Sequence, residues 1–253
     1  MNNNFLQPFL RKDKALFLAY DHGFEHGPKD LIGKSIDPEY ILDLAIKGGY
    51  TGIILHKGIA EKYYTGTKYQ KRIPLILKIN GKTNIPQTTD PYSPINCSVD
   101  YAKKLGAKAV GYTIYLGSKY EEKMFEDFGK IQEQAHQLKM AAIAWIYPRG
   151  SAVENESSPE MTSYAARIGL ELGADMIKIK YCGSEETFRK AVQSAGKTNV
   201  VLSGGPKIED EEILKIIESV MKVGATGVAV GRNVFQHQDP LDMTEKIKKI
   251  IFN

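Results

Sequence analysis

Leu172-Gly173-Ala174-Asp175-Met176-Ile177-Lys178-Ile179-Lys180-Tyr181 joins the end of a helical segment to an apolar run of strand length. Residues 163–173 carry the helical pattern, and Gly173 stands where a left-handed cap favours glycine. The run from Met176 to Tyr181 has strand character and is closed by a turn at Gly183. The same junction wording recurs at Leu105-Gly106-Ala107 and at Val223-Gly224-Ala225. Such self-similarity indicates repeated βα units rather than unlike domains. Outward from these junctions, strands are expected at residues 15–21, 52–57, 75–80, 109–115, 141–147, 176–181, 200–203 and 227–231. Apolar residues at helical spacing lie between them, as in Phe125, Phe128, Ile131 and Ala135, or Ile213, Ile216, Ile217 and Val220. Eight βα units in 253 residues predict an α/β fold, a (β/α)8 TIM barrel, with residues 1–253 forming a single domain. An open doubly wound sheet fits less well, because no Gly-x-Gly-x-x-Gly follows the first strand. Two stretches are the least regular, residues 58–72 and 84–96. Long loops in a compact barrel are more often functional or interfacial than idle.

Composition narrows the function classes. With 42% hydrophobic and 25% charged residues the chain is ordinary for a globular protein, which argues against disorder. The net charge of +4 is mild, and no basic run interleaved with aromatics suggests nucleic-acid binding. Cys97 and Cys182 form neither a disulfide framework nor a zinc motif, so a reducing cytoplasm is the expected setting. Met1-Asn2-Asn3-Asn4-Phe5 lacks the layout of a signal peptide. No apolar run approaches the roughly 18 residues of a membrane span, so no membrane partner is expected.

The lysines of the opening stretch carry chemical weight. Alternation places Met176, Lys178 and Lys180 on one face of the strand, with Ile177 and Ile179 on the other. Lysine is rarely buried because an unpaired charge in an apolar interior is costly. A desolvated amine crowded by a second cation has a depressed pKa and attacks carbonyls; a structural salt bridge is the alternative. By the same alternation Trp145 and Tyr147 share a face of strand five, and Lys78 and Asn80 a face of strand three. In such barrels the chemistry sits at the C-terminal strand ends. Those ends read Tyr20-Asp21-His22-Gly23, Lys78-Ile79-Asn80-Gly81-Lys82 and Tyr147-Pro148-Arg149-Gly150, then Ser203-Gly204-Gly205 and Gly231-Arg232-Asn233. Glycines after strands seven and eight let backbone N–H groups approach a phosphate, and Arg232 adds a guanidinium fork; tight turns that need glycine are the alternative.

These residues carry a resemblance. Ala19-Tyr20-Asp21-His22-Gly23-Phe24-Glu25-His26-Gly27-Pro28, Leu77-Lys78-Ile79-Asn80-Gly81-Lys82-Thr83 and Tyr147-Pro148-Arg149-Gly150 belong to it. So do Lys178-Ile179-Lys180-Tyr181, Ser203-Gly204-Gly205-Pro206-Lys207 and Val230-Gly231-Arg232-Asn233. With them the chain resembles the archaeal-type class I fructose-bisphosphate aldolases almost end to end. The resemblance implies Lys178 as the Schiff-base lysine, Tyr147 as the proton-transfer residue and Asp21 beside it. It implies substrate contacts from Trp145, Arg149, Lys180, Ser203, Gly204, Gly205, Gly231 and Arg232. No metal and no cofactor is expected; a phosphorylated sugar is, as is assembly into a homo-oligomer, a pentamer or decamer. Lys180 is expected to be the cation that depresses Lys178. The chain departs from the family at Ile146, at Tyr181-Cys182-Gly183-Ser184 and in the longer loop over residues 67–73. These departures bear on substrate fit and loop closure.

Other readings share parts of this pattern. The archaeal aminodideoxyheptulosonate synthases resemble the chain in Tyr147-Pro148-Arg149-Gly150 and the phosphate loops, but lack the wording around Glu25, Lys78 and Trp145. A metal-dependent aldolase is suggested by His22, His26 and Glu25, and leaves Lys178 unexplained. A phosphosugar sensor would keep the phosphate loops without needing Lys178 and Tyr147.

Overall fold

The computed structural model describes residues 4–253, so the signal-peptide reading at Met1-Asn2-Asn3 lies partly outside the described residues. Eight parallel strands close into one barrel in chain order. They are β1 (Ala15–Ala19), β2 (Gly52–His56), β3 (Leu75–Lys78), β4 (Ala109–Leu116), β5 (Ala141–Pro148), β6 (Met176–Ile179), β7 (Asn199–Ser203) and β8 (Gly227–Val230). The helices are α1 (His22–His26), α2 (Pro38–Lys47), α3 (Lys57–Ile59), α4 (Val99–Lys104), α5 (Glu121–Gln137), α6 (Pro159–Glu171), α7 (Glu185–Ser194), α8 (Asp210–Lys222), α9 (Arg232–Phe235) and α10 (Pro240–Phe252). This is the (β/α)8 barrel expected from the repeated junctions. Gly106, Gly173 and Gly224 have φ of +87°, +74° and +97°, the left-handed conformation that a cap asks of glycine. Closure pairs β1 with β8 and leaves no sheet edge.

Side-chain alternation divides the core in two. Leu16, Leu18, Ile53, Leu55 and Ile177 face outward against the helices. Phe17, Ile54, Ile76, Ile143, Met176 and Val201 fill the barrel itself. The bottom of the barrel is stoppered by the segment before β1. Leu6 and Phe9 are buried there, and the Phe9 ring meets Phe17 edge-on at 6.0 Å. Among the described residues, the C-terminal mouth is the end of the barrel left open to a ligand.

Three local readings change. Residues 58–72 are helical rather than irregular, with α3 running into a π-helical turn at Ala60–Tyr64 and a short 3-10 turn at Tyr69–Lys71. Tyr69 anchors that loop, donating its hydroxyl to Asp43 Oδ1 at 2.9 Å. Ile146 is fully buried in the outer core, with its Cδ1 close to Gly169 of α6, so it faces away from any substrate. Finally, β6 ends at Ile179 rather than at residue 181. Its last pair with β5 is Trp145↔Lys178, so Lys180 has already left the ladder.

Candidate active site

From the apolar layer in the barrel, a step of two residues along each strand reaches the open mouth. On β2, β3 and β6 that step arrives at His56, Lys78 and Lys178; on β5 it arrives at Trp145 and then Tyr147; on β7 it arrives at Ser203. Asp21 and His22 follow β1, and Gly231 and Arg232 follow β8. All of them line one cavity of about 430 Å³. The expected catalytic set, Lys178, Tyr147 and Asp21, is therefore brought together, and so are Trp145, Arg149, Lys180, Ser203, Gly204, Gly205, Gly231 and Arg232.

Lys178 is 6% exposed, and none of the described residues accepts a hydrogen bond from its Nζ. Burial pushes its pKa down; Asp21 and Glu25 oppose the shift, and Arg232 adds to it. The expected neighbour cation, Lys180, is not the one acting. Its Nζ lies 2.6 Å from Glu156 Oε2, in a network where Arg149 Nε donates to Glu156 Oε1 at 2.8 Å. Glu25 joins this network 3.5 Å from Arg149 Nη1 and accepts from the Tyr115 hydroxyl at 3.1 Å. Arg149 and Lys180 thus sit at the rim with their charges balanced by Glu156 and Glu25.

Asp21 precedes α1 but makes no capping hydrogen bond, so the turn does not explain its carboxylate. Burial would raise its pKa, but the charge of Lys178 first, then those of His22 and Lys78, hold it at about 2. Burial pushes His22 and His56 down to about 4, so both imidazoles are neutral at pH 7. The His22 and His26 rings lie tilted at a separation of 6.2 Å, and no three His, Cys, Asp or Glu side chains among the described residues converge on a metal-binding position. Tyr147 is kept protonated by burial, with Asp21 and Glu25 adding to the shift; its hydroxyl lies 3.4 Å from Ser203 Oγ.

Trp145 owes its position to a residue that sequence reading passed over. A Cβ built on Gly111 of β4 would meet indole Cη2 and Cζ3 at 1.8 Å, so β4 supplies no side chain at this level and the indole lies across it. In this place the ring centre lies 5.3 Å from Lys178 Nζ and 5.8 Å from Lys78 Nζ. Gly111→Ala should force the indole to move, costing about 1–3 kcal/mol of stability by overpacking. Trp145 is the chain's single tryptophan, so its fluorescence would report the shift directly, and an unchanged spectrum with full activity would refute this account of the pocket.

The phosphate loops need one correction. The Gly204 N–H donates to Ala229 O at 2.9 Å, continuing the sheet, so it is not free for an anion. Gly205, at φ +66°, makes the turn beyond it. Asn233 knits the two loops, donating from Nδ2 to Gly204 O at 2.7 Å and to Pro206 O at 2.9 Å. Arg232 reaches back to Asp30 Oδ2 at 3.1 Å and Gly205 O at 3.0 Å, while its buried Nε has no partner among the described residues. The departure at Tyr181-Cys182-Gly183-Ser184 serves the helix that follows: Ser184 caps α7, accepting from Thr187 N at 3.2 Å.

Comparison with known proteins agrees with this geometry. Residues 15–237 match the family model described as DeoC/LacD family aldolase. The class 1 fructose-bisphosphate aldolase of Thermoproteus tenax is 50% identical over 100% of this chain and 95% of its own length. That of Halobacterium salinarum is 42% identical over 97% of this chain and 93% of its own. A solved archaeal fructose-1,6-bisphosphate aldolase, with its catalytic lysine covalently bound to the carbinolamine intermediate of the substrate, superposes with a TM-score of 0.94. It is 49% identical, over 99% of this chain and 98% of that one. With a free amine buried at the mouth of an eight-stranded barrel and relatives of this kind along its whole length, the chain belongs to the Schiff-base-forming class 1 fructose-bisphosphate aldolases of the DeoC/LacD family.

Proposed function

We propose that Lys178 carries the reversible cleavage of fructose 1,6-bisphosphate to dihydroxyacetone phosphate and glyceraldehyde 3-phosphate, with residues 1–253 acting as one catalytic domain. The carrying observation is the buried Lys178 amine, open to the cavity and committed to no other described group. Nζ attacks the ketone carbon, giving a carbinolamine. Loss of water forms an iminium, with Tyr147 placed to give the proton that leaves with the oxygen. The C3–C4 bond then breaks as the C4 hydroxyl gives its proton to the Tyr147 phenolate left by the dehydration. Its electron pair flows into the iminium and leaves an enamine and an aldehyde. Protonation of the enamine and hydrolysis return the amine. Asp21 sits beside this chemistry as a permanent anion that steadies the cationic iminium. Fructose 1,6-bisphosphate should be cleaved equally well with and without EDTA and unphosphorylated fructose poorly; loss of cleavage in EDTA would point to a metal-dependent route instead.

Arg232, Gly205 and Gly231 are proposed to hold the phosphate nearer β7 and β8, with Ser203 and Gly204 shaping the loop. Arg149 and Lys180 are proposed to receive the other. Arg232→Ala should raise KM for the bisphosphate by the equivalent of about 1.5–3 kcal/mol, the range for hydrogen bonds to a charged group. kcat should change less, because the contact is made in ground and transition states alike. If the variant keeps the full preference for phosphorylated substrate, the phosphate site must be redrawn around Arg149 or Lys207.

The setting is proposed to be cytoplasmic. No helix among the described residues is long and apolar enough to cross a membrane. Assembly into a pentamer or decamer is proposed as well. Exposed Ile32, Ile36 and Ile85 provide apolar surface for it. Light scattering of the purified chain would test this; a monomer at micromolar concentration would dismiss it.

A further inference from the structure

Lys78 is a second buried lysine in the cavity, 5% exposed. It differs from Lys178 in how it is held. Its Nζ donates to Asn80 O at 2.8 Å and to Asn80 Oδ1 at 2.7 Å. Asn80 is itself rigid: Nδ2 donates to Ser93 O and Thr113 O, both at 2.9 Å, and Oδ1 also accepts from Thr113 N at 2.8 Å. Every hydrogen-bonding position of this amide is used, and its residue is fully buried. A clamp made of two acceptors favours the ammonium form of whatever it holds. Lys178, near the same indole, has no such acceptors among the described residues.

We propose that Lys78 is a positioning residue for the Schiff-base reaction: clamped by Asn80, it keeps the proton that Lys178 must give up, and it remains the partner of Asp21 once Lys178 is neutral. Charge balance supports this. Asp21 faces both amines, and Glu25 acts on both from α1. Arg232 is the other cation near Lys178, on the β8 side. His22 and His56 are neutral at pH 7, and the Tyr147 phenol keeps its proton, so none of them can replace a lost cation. Without Lys78, Asp21 would draw a proton onto Lys178. With it, Asp21 keeps a cationic partner, and the two Asn80 acceptors hold the proton on Lys78 rather than on Lys178. Burial, with the charge of Lys178 adding to it and Asp21 and Glu25 opposing it, brings Lys78 to about 8, so it is still mostly an ammonium at pH 7.

This inference rests on Lys178 as the attacking amine, and the test separates the two. Borohydride trapping of the substrate adduct, measured against pH in a single turnover, reports the free-amine fraction of Lys178. In Lys78→Met the acidic limb should move up by about one pH unit or more, because removing a cation and freeing Asp21 both stabilise the Lys178 ammonium. Trapping at pH 7 should fall roughly 10-fold and recover at higher pH. Lys78→Arg, which keeps the charge, should keep the limb near its wild-type position. A Lys78→Met protein slowed equally at every pH would overturn the proposal, leaving Lys78 a structural residue or a simple substrate contact. Should Lys78→Met not fold, ε-13C-lysine titration of the wild-type protein decides. The Lys178 signal, identified by its loss in Lys178→Ala, should titrate below that of Lys78, and the reverse order would overturn the proposal. Absence of any adduct on wild-type Lys178 would instead refute the underlying mechanism.

Discussion

Lys178→Ala is expected to lower the cleavage rate by roughly 10⁵-fold or more, the scale on which removing a covalent nucleophile acts. Neither Lys78 nor Lys180 is expected to take its place. Lys78 is held by Asn80 and Lys180 by Glu156, and neither is open to the carbon that Lys178 would reach. The protein should stay folded, and its melting temperature should hold or rise, because the substitution relieves the cost of a buried amine that makes no hydrogen bond. Steady-state assays with circular dichroism melts would show both effects. A variant retaining more than a hundredth of the wild-type rate would mean that the carbonyl is activated elsewhere. Stability sacrificed for chemistry is the general expectation for such a site.

Tyr147→Phe should slow turnover by roughly 10²-fold or more, the usual contribution of a positioned acid–base group. Only one oxygen is removed, and its partner Ser203 Oγ lies at 3.4 Å, so packing and binding should survive. The step affected is the departure of water from the carbinolamine, which needs a proton at that oxygen. Burial keeps the phenol protonated well above its ordinary range, so Tyr147 meets the carbinolamine as an acid throughout the neutral range. Carbinolamine should therefore accumulate on Lys178 and be visible as an intact-mass increase after rapid acid quench. A nearly normal rate would hand the proton transfer to Asp21 or water. Asp21, held at about 2, is poorly suited to donate one.

Much of the fold is written locally. The helix-glycine-strand junctions state the βα repeat, and the strand alternation already puts Lys178, Tyr147 and Lys78 on inward faces. Strand ends are harder to read, because β6 stops pairing with β5 at Lys178 and leaves the sheet after Ile179. That exit turned Lys180 from a supposed second cation inside the site into a rim residue bound to Glu156. What local pattern could not show is what happens across the barrel. The indole of Trp145 fits because Gly111, on a different strand, supplies no Cβ. Glu156 and Glu25 meet Arg149 only once the loops after β1 and β5 fold over the mouth. Arg232 finds Asp30 from 202 residues away. A signal for Lys78 did exist, its place beside Asn80 on one face of strand three, but the clamp between them is visible only when Thr113 and Ser93 close around the amide.

The central claim is that the carbonyl is captured by one particular amine. Borohydride reduction of the protein mixed with fructose 1,6-bisphosphate, followed by peptide mass mapping, tests it most directly. The reduced adduct should sit on the peptide containing Lys178, require the substrate, and disappear in Lys178→Ala. An adduct on Lys78 or Lys180, or cleavage that proceeds undiminished in borohydride with no adduct at all, would contradict the account.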